Sequence, residues 1–178
     1  AALLREANKV QKNALMSSVE IAGTDGTARE AMVSSWRCPR HLSDMPNAVH
    51  EATRAKWHIL VDGVDCPPPI KSFPEMKVPS PIVAQMTLKN ITRPTPIQVQ
   101  GLPALFAGRD VIGIAFTGSG KTLTFLLPMV MHSLEEEMNM PLEGGDGPIG
   151  LVLCPSRELA RQTHENLEFL INALSPTE

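Results

Sequence analysis

The stretch Val111-Ile112-Gly113-Ile114-Ala115-Phe116-Thr117-Gly118-Ser119-Gly120-Lys121-Thr122 decides how this chain is read. Val111 to Ala115 is β-branched or small and carries no charge, the pattern of a short, fully buried strand. Thr117 to Gly120 is a small, glycine-rich turn, and Lys121-Thr122 open a run with helical periodicity. Strand, glycine turn and helix is the order that brings backbone N–H groups onto an anion at a helix N-terminus, where aligned peptide dipoles also favour negative charge. Glycine lets the main chain wrap close, because a Cβ blocks either the turn or the phosphate. On this pattern Lys121 reaches the β/γ-phosphates of a nucleotide and the Thr122 hydroxyl ligates magnesium. Ala115 stands where the general motif has its first glycine. The bland alternative is an ordinary strand–helix turn of a parallel sheet, and the context on both sides favours the nucleotide site.

Downstream, Leu123, Leu126, Leu127, Val130 and Leu134 share one helical face, and Pro128 is expected to kink that helix by removing the hydrogen bond to Thr124. Glu143 to Pro148 reads as a glycine-rich surface loop and Gly150 to Cys154 as a second buried strand. Ser156 is placed to cap a final helix with Thr163, Leu167, Leu170, Ile171 and Leu174 inside.

Upstream, Thr95-Pro96 is a helix start with Gln98 three residues after the cap. Val99, Leu102 and Phe106 form that helix's apolar stripe and Gly108 stops it. Ser80-Pro81 starts another helix, with Ile82, Val83 and Met86 on its apolar face. Strands alternating with helices point to an α/β fold, a parallel sheet with flanking helices.

Before Ile70 the signal weakens. Pro67-Pro68-Pro69 is a stiff, extended connector. Met45 to Lys56 reads as a helix and His58 to Val61 as a strand, while Leu3, Ala7, Val10 and Ala14 give a weak amphipathic pattern at the start. The expected division is a partly ordered extension and linker over 1–69, then the first part of a nucleotide-binding domain over 70–178.

Composition excludes little. The 178 residues carry a net charge of −3, with a basic middle over 66–122 and an acidic stretch over 123–178. A nucleic-acid binder usually shows a basic face, so charge alone argues neither way. Three widely spaced cysteines, Cys38, Cys66 and Cys154, form neither a disulfide ladder nor a zinc pattern, and an intracellular compartment is the easier reading. The apolar run Phe125 to Met131 is too short to span a bilayer, and Arg5, Glu6 and Lys9 are out of place in a signal peptide. A start at Ala1 and an end at Ser175 to Glu178, directly after a helix, lead to the expectation of a fragment.

Several residues carry two readings. Gln98 either caps its helix with Thr95 or pairs through its amide with adenine N6 and N7. Phe73, beside prolines, is packing on its own evidence. Arg157 and Glu158 are solvated charges, or Arg157 and the helix N-terminus meet a backbone phosphate. Trp36 and Trp57 read as core or interface packing, the methionines of 129–140 as filler and loop residues, and His132 and His164 have no metal-site spacing.

Taken together these pieces resemble the first RecA-like half of a DEAD-box RNA helicase. Asn90-Ile91-Thr92-Arg93-Pro94-Thr95-Pro96-Ile97-Gln98 is similar to that family's adenine-reading Q motif, with Asn90 where a glycine is usual. Phe73 lies where the family places an aromatic that stacks on adenine. Ala115-Phe116-Thr117-Gly118-Ser119-Gly120-Lys121-Thr122 is similar to motif I, for which the alanine is normal, and Pro155-Ser156-Arg157-Glu158-Leu159-Ala160 to motif Ia. The resemblance implies a partial RecA-like domain with ATP and Mg2+ as cofactors. It implies ATP binding by Phe73, Arg93, Thr95, Gln98 and Ala115 through Thr122, with Lys121 and Thr122 catalytic. It also implies sequence-nonspecific RNA-backbone contact by Ser156 and Arg157, and with three motifs in order it favours the adenine role of Gln98.

Trp36 to Arg40, Trp57 to Gly63, Pro67 to Phe73 and Ile114 to Thr117 further resemble the Abstrakt group, although Cys38 stands where a proline is expected. That resemblance implies a nuclear location, spliceosomal protein partners and no membrane partner. The Asp-Glu-Ala-Asp stretch, the Ser-Ala-Thr motif and the second lobe's arginines do not occur in these residues, so the chain as it stands is expected not to turn over ATP. The alternative is a non-catalytic protein that binds nucleotide, RNA or a partner.

Overall fold

The computed structural model describes residues 34–139 and 148–174. The amphipathic stretch from Leu3 to Ala14 and nearly all of the 143–148 loop lie outside those residues. Among the described residues six helices follow in order: α1 (Arg40–Ser43), α2 (Asn47–Lys56), α3 (Ser80–Leu88), α4 (Pro96–Phe106), α5 (Lys121–Asn139) and α6 (Arg157–Ile171). Helix α5 packs against both α4 and α6, and α3 against α6.

Helix α4 shows how closely sequence dictates this arrangement. Thr95 and Gln98 form a capping box, and Pro96 occupies the first turn, where its missing N–H costs nothing. Pro103 lies inside the helix and cannot donate to the Val99 carbonyl. That carbonyl instead accepts from the Ile70 N–H at 2.9 Å. The proline connector thus delivers Ile70 to an acceptor that Pro103 has freed. Gly101 permits close approach to α5, since a Cβ there would lie 2.8 Å from the Thr124 methyl. At the other end the Ser34 hydroxyl donates to the Phe106 carbonyl at 2.6 Å, satisfying one of the orphan acceptors of a helix C-terminus.

The core joins Ile70, Phe73 and Met76 to Ile82 and Met86 of α3, Leu102 and Phe106 of α4, Leu126, Leu127 and Val130 of α5 and Leu170 of α6. Burial of each such side chain is worth about 1.5–3 kcal/mol. Trp36 packs on Phe106 with ring centroids 5.9 Å apart and donates its indole N–H to the Met76 carbonyl at 2.8 Å. Arg54, buried on α2, donates to Gln100 of α4 at 2.8 Å and to the Pro67 carbonyl at 3.2 Å, and pairs with Glu51 at 2.6 Å. Helix α2 is thereby tied to α4 and to the proline connector. Helix α5 runs through Pro128, which is buried.

Three expected strands are absent as strands. Val111 to Ala115, Gly150 to Cys154 and His58 to Val61 lie outside regular secondary structure, and no ladder forms among the described residues. The first two were expected to be buried, yet Ile114 is 91 % and Leu153 87 % exposed, and Ile112, Phe116 and Leu151 are exposed with them. Their sequence has the composition of buried strands, but a strand exists only where a neighbour accepts and donates its backbone hydrogen bonds. Ile171 is likewise exposed rather than inside, lying in the last turn of α6. None of the helices in the described residues is long and apolar enough to cross a membrane.

Candidate nucleotide site

The phosphate loop is built against the N-terminus of α4. The Thr95 hydroxyl donates to the Ser119 carbonyl at 2.7 Å, and the Gln98 amide N–H donates to the Gly120 carbonyl at 3.0 Å. The other end of the Gln98 amide accepts from the Thr95 N–H at 3.0 Å. Of the two roles weighed for Gln98, the cap is therefore formed, and the same side chain also anchors the loop. One lone pair and one N–H of the amide remain for a ligand, although the residue is only 2 % exposed. The two loop glycines differ. Gly120 has φ +88 and a Cβ there would meet the Gln98 amide nitrogen at 2.4 Å, so it is packed on the protein side. Gly118 has φ +76 and open space where a Cβ would point.

Lys121, the first residue of α5, folds its ammonium back onto the carbonyls of Ala115 and of Phe116, the latter at 2.7 Å. These are the loop's own acceptors, and a phosphate replaces them with a stronger, charge-assisted partner. As at any helix N-terminus, the first N–H groups of α5 have no intrahelical acceptor. The Ser119 hydroxyl is buried without a hydrogen-bond partner. A loop with open space at Gly118, free helix N–H groups, a neighbouring ammonium and an orphan hydroxyl fits the phosphates of a nucleotide. Thr117 is exposed on the loop and Thr122 half-buried one residue into α5.

The other expected site residues divide. Arg93 is exposed beside the α4 cap, in a cleft with Thr92, Lys71, Ser72 and Trp57. Phe73 is 1 % exposed and lies within the core. Ser156 caps α6 by accepting from the Leu159 N–H at 3.3 Å, and Arg157 opens that helix on the exposed surface. Neither touches the phosphate loop in any described hydrogen bond, so they form a separate surface. What sequence reasoning missed is the pair of carbonyls, Ser119 and Gly120, that join loop to cap. Their signal is nonlocal and lies in no motif spacing.

A glycine loop held by a capped helix and leading directly into the next helix has the build of a P-loop. Residues 95–177 match the DEAD/DEAH box helicase family. The chain is 53 % identical over 163 residues to DEAD-box ATP-dependent RNA helicase 35 of Arabidopsis thaliana, covering 92 % of this chain and 27 % of that protein. It is 50 % identical over 171 residues to ATP-dependent RNA helicase abstrakt of Drosophila melanogaster, covering 93 % and 27 %. Among solved structures, the RNA-helicase Prp28 of Chaetomium thermophilum bound to ADP superposes with TM-score 0.65 at 31 % identity, over 79 % of this chain and 33 % of that one. The chain belongs to the DEAD-box helicase family. It spans about a quarter of the length of the curated relatives it matches.

Proposed function

We propose that this chain is the adenine-nucleotide seat and one RNA-contact surface of an ATP-dependent RNA helicase of the Abstrakt group, acting on RNA in the nucleus with spliceosomal partners. The observation that carries the nucleotide reading is the double anchor of Thr95 and Gln98 on the Ser119 and Gly120 carbonyls. It makes a base-reading element and a phosphate loop one unit. In this reading the second lone pair and second N–H of Gln98 meet the adenine edge, Arg93 flanks the base, and Lys121 leaves its loop carbonyls for the β/γ-phosphates. The Thr122 hydroxyl holds the Mg2+ that accompanies the nucleotide, and the α5 N–H groups orient the phosphates. Bound ATP supplies a cleavable phosphoanhydride. Arg157 and the α6 N-terminus contact RNA phosphates without reading sequence. The stretches 111–115 and 150–154 belong, in this reading, to a parallel RecA-like sheet. The Abstrakt assignment, the nuclear setting and the splicing partners are supported by the segments from Trp36 to Arg40, Trp57 to Gly63 and Pro67 to Phe73.

Labelled ATP and GTP titrated against the wild type and Gln98→Ala test the base reading. The wild type is expected to prefer ATP, and the variant to lose about 1–3 kcal/mol of that preference. Equal affinity for both nucleotides in the wild type reduces Gln98 to its cap and loop anchor.

A further inference from the structure

Helix α2 docks by polar contact. Its buried residues are His50 and Arg54, and no α2 side chain joins the apolar core. The His50 Nε2 is buried without a hydrogen-bond partner, which opposes docking. The attachment of α2 therefore leans on Arg54, whose Nε donates to the Gln100 amide oxygen at 2.8 Å and whose Nη2 donates to the Pro67 carbonyl at 3.2 Å. The Gln100 amide N–H closes the ring by donating to the same Pro67 carbonyl at 2.9 Å. A planar guanidinium bonded at two points fixes an orientation that an apolar contact leaves free to slide.

Three consecutive residues of α4 are tied to different parts of the chain. The Gln98 amide holds the phosphate loop at the Gly120 carbonyl, the Val99 carbonyl receives the Ile70 N–H, and Gln100 receives Arg54. Positions two apart lie about 200° apart around a helix axis, so the loop and α2 grip α4 from opposite sides. A rotation of α4 that loosens Gln100 carries the Gln98 amide away from Gly120. We propose that Arg54 is a positioning residue of the nucleotide site: it fixes the rotation of α4 and so couples the docking of α2 to the affinity for nucleotide. This rests on the nucleotide reading given above. Coupling is reciprocal, so nucleotide on the loop tightens α2 by the factor that α2 docking contributes to nucleotide affinity.

Calorimetric titration of Mg-ATP reads the coupling directly. Arg54→Ala is expected to bind about five- to tenfold more weakly than the wild type, at the low end of ordinary coupling between sites. Arg54 acts through Gln98, so Arg54→Ala combined with Gln98→Ala is expected to bind no more weakly than Gln98→Ala alone. A merely structural arginine lowers the melting temperature without changing the affinity of the folded chain. Hydrogen exchange gives the reciprocal reading with α2 left intact. Lying outside the core, α2 opens locally, and saturating Mg-ATP is expected to slow exchange of the amides of residues 51–57 by about the same factor. In Lys121→Ala that slowing is expected to disappear. Equal Mg-ATP affinity in the wild type and Arg54→Ala overturns the proposal. So does a double variant that loses the product of the two single effects, and so do α2 amides that ignore saturating Mg-ATP. Wild-type ATP binding that ignores Lys121→Ala removes the nucleotide reading itself. Lys121-dependent ATP binding that is indifferent to Arg54→Ala removes only the positioning role.

Discussion

Apolar stretches of similar sequence character end in opposite places. Val99, Leu102 and Phe106 on α4 are buried, while Ile112, Ile114, Leu151 and Leu153 are exposed. The difference is where each finds its hydrogen bonds. A helix satisfies its backbone within its own residues, and α4 needs only a cap, a replacement donor for Val99 and a closing hydroxyl, all of which lie within the described residues. A strand must borrow its partners from elsewhere in the chain. Around the nucleotide loop the locally satisfied part is therefore complete and the borrowed part open. The half that is complete is the half that holds the loop.

That contrast makes definite expectations. Leu102→Ala, in the closed region, is expected to cost about 2–5 kcal/mol in chemical denaturation, and a loss under 1 kcal/mol makes the α4–α5 packing looser than described. A smaller effect is expected at the contact between the 34–36 segment and α5, where the Ser35 N–H donates to Glu135 at 2.7 Å. Hydrogen bonding from Ser35 above all, with His132 nearby, holds the Glu135 carboxyl below its ordinary value. Its folded value is depressed, so its contribution is present above the ordinary carboxylate range and is lost as pH falls through the folded value. Partial exposure and screening limit this to about 0.5 kcal/mol. Thermal unfolding of Glu135→Gln against wild type is expected to differ at neutral pH and to converge in acid, and a constant offset contradicts the linkage. The smallest change in stability belongs to the open region. Ile114→Lys is expected to fall within about 0.5 kcal/mol of wild type, while lowering self-association in light scattering, because an exposed apolar edge is a template for pairing. A loss of several kcal/mol there shows that Ile114 is buried in solution.

Much of the closed region was legible in the sequence. Thr95, Pro96 and Gln98 announce their helix by side-chain chemistry that acts within one turn, and Ser156 does the same for α6. Asn90, the departure from glycine in the Q-motif resemblance, sits at φ +59, a left-handed position that asparagine tolerates better than most residues. Three things were not legible. Periodicity reports apolar character and says nothing about whether a partner strand lies alongside, so 111–115 and 150–154 read as buried when most of their residues are exposed. The ring of Phe73 carries the same chemistry in a core as in a binding cleft, and only its neighbours decide. The anchoring of Gly120 by Gln98 crosses twenty-two residues and leaves no trace in either motif.

The central claim is that the loop from Ala115 to Thr122 seats nucleotide phosphates. It is tested most directly by calorimetric titration of Mg-ATP into the chain and into Lys121→Ala. The account predicts saturable binding at one site in the wild type, weakened at least about tenfold in Lys121→Ala, where a charge-assisted phosphate contact is lost. Indistinguishable isotherms for the two proteins, or a wild type that takes up no ATP, contradict it.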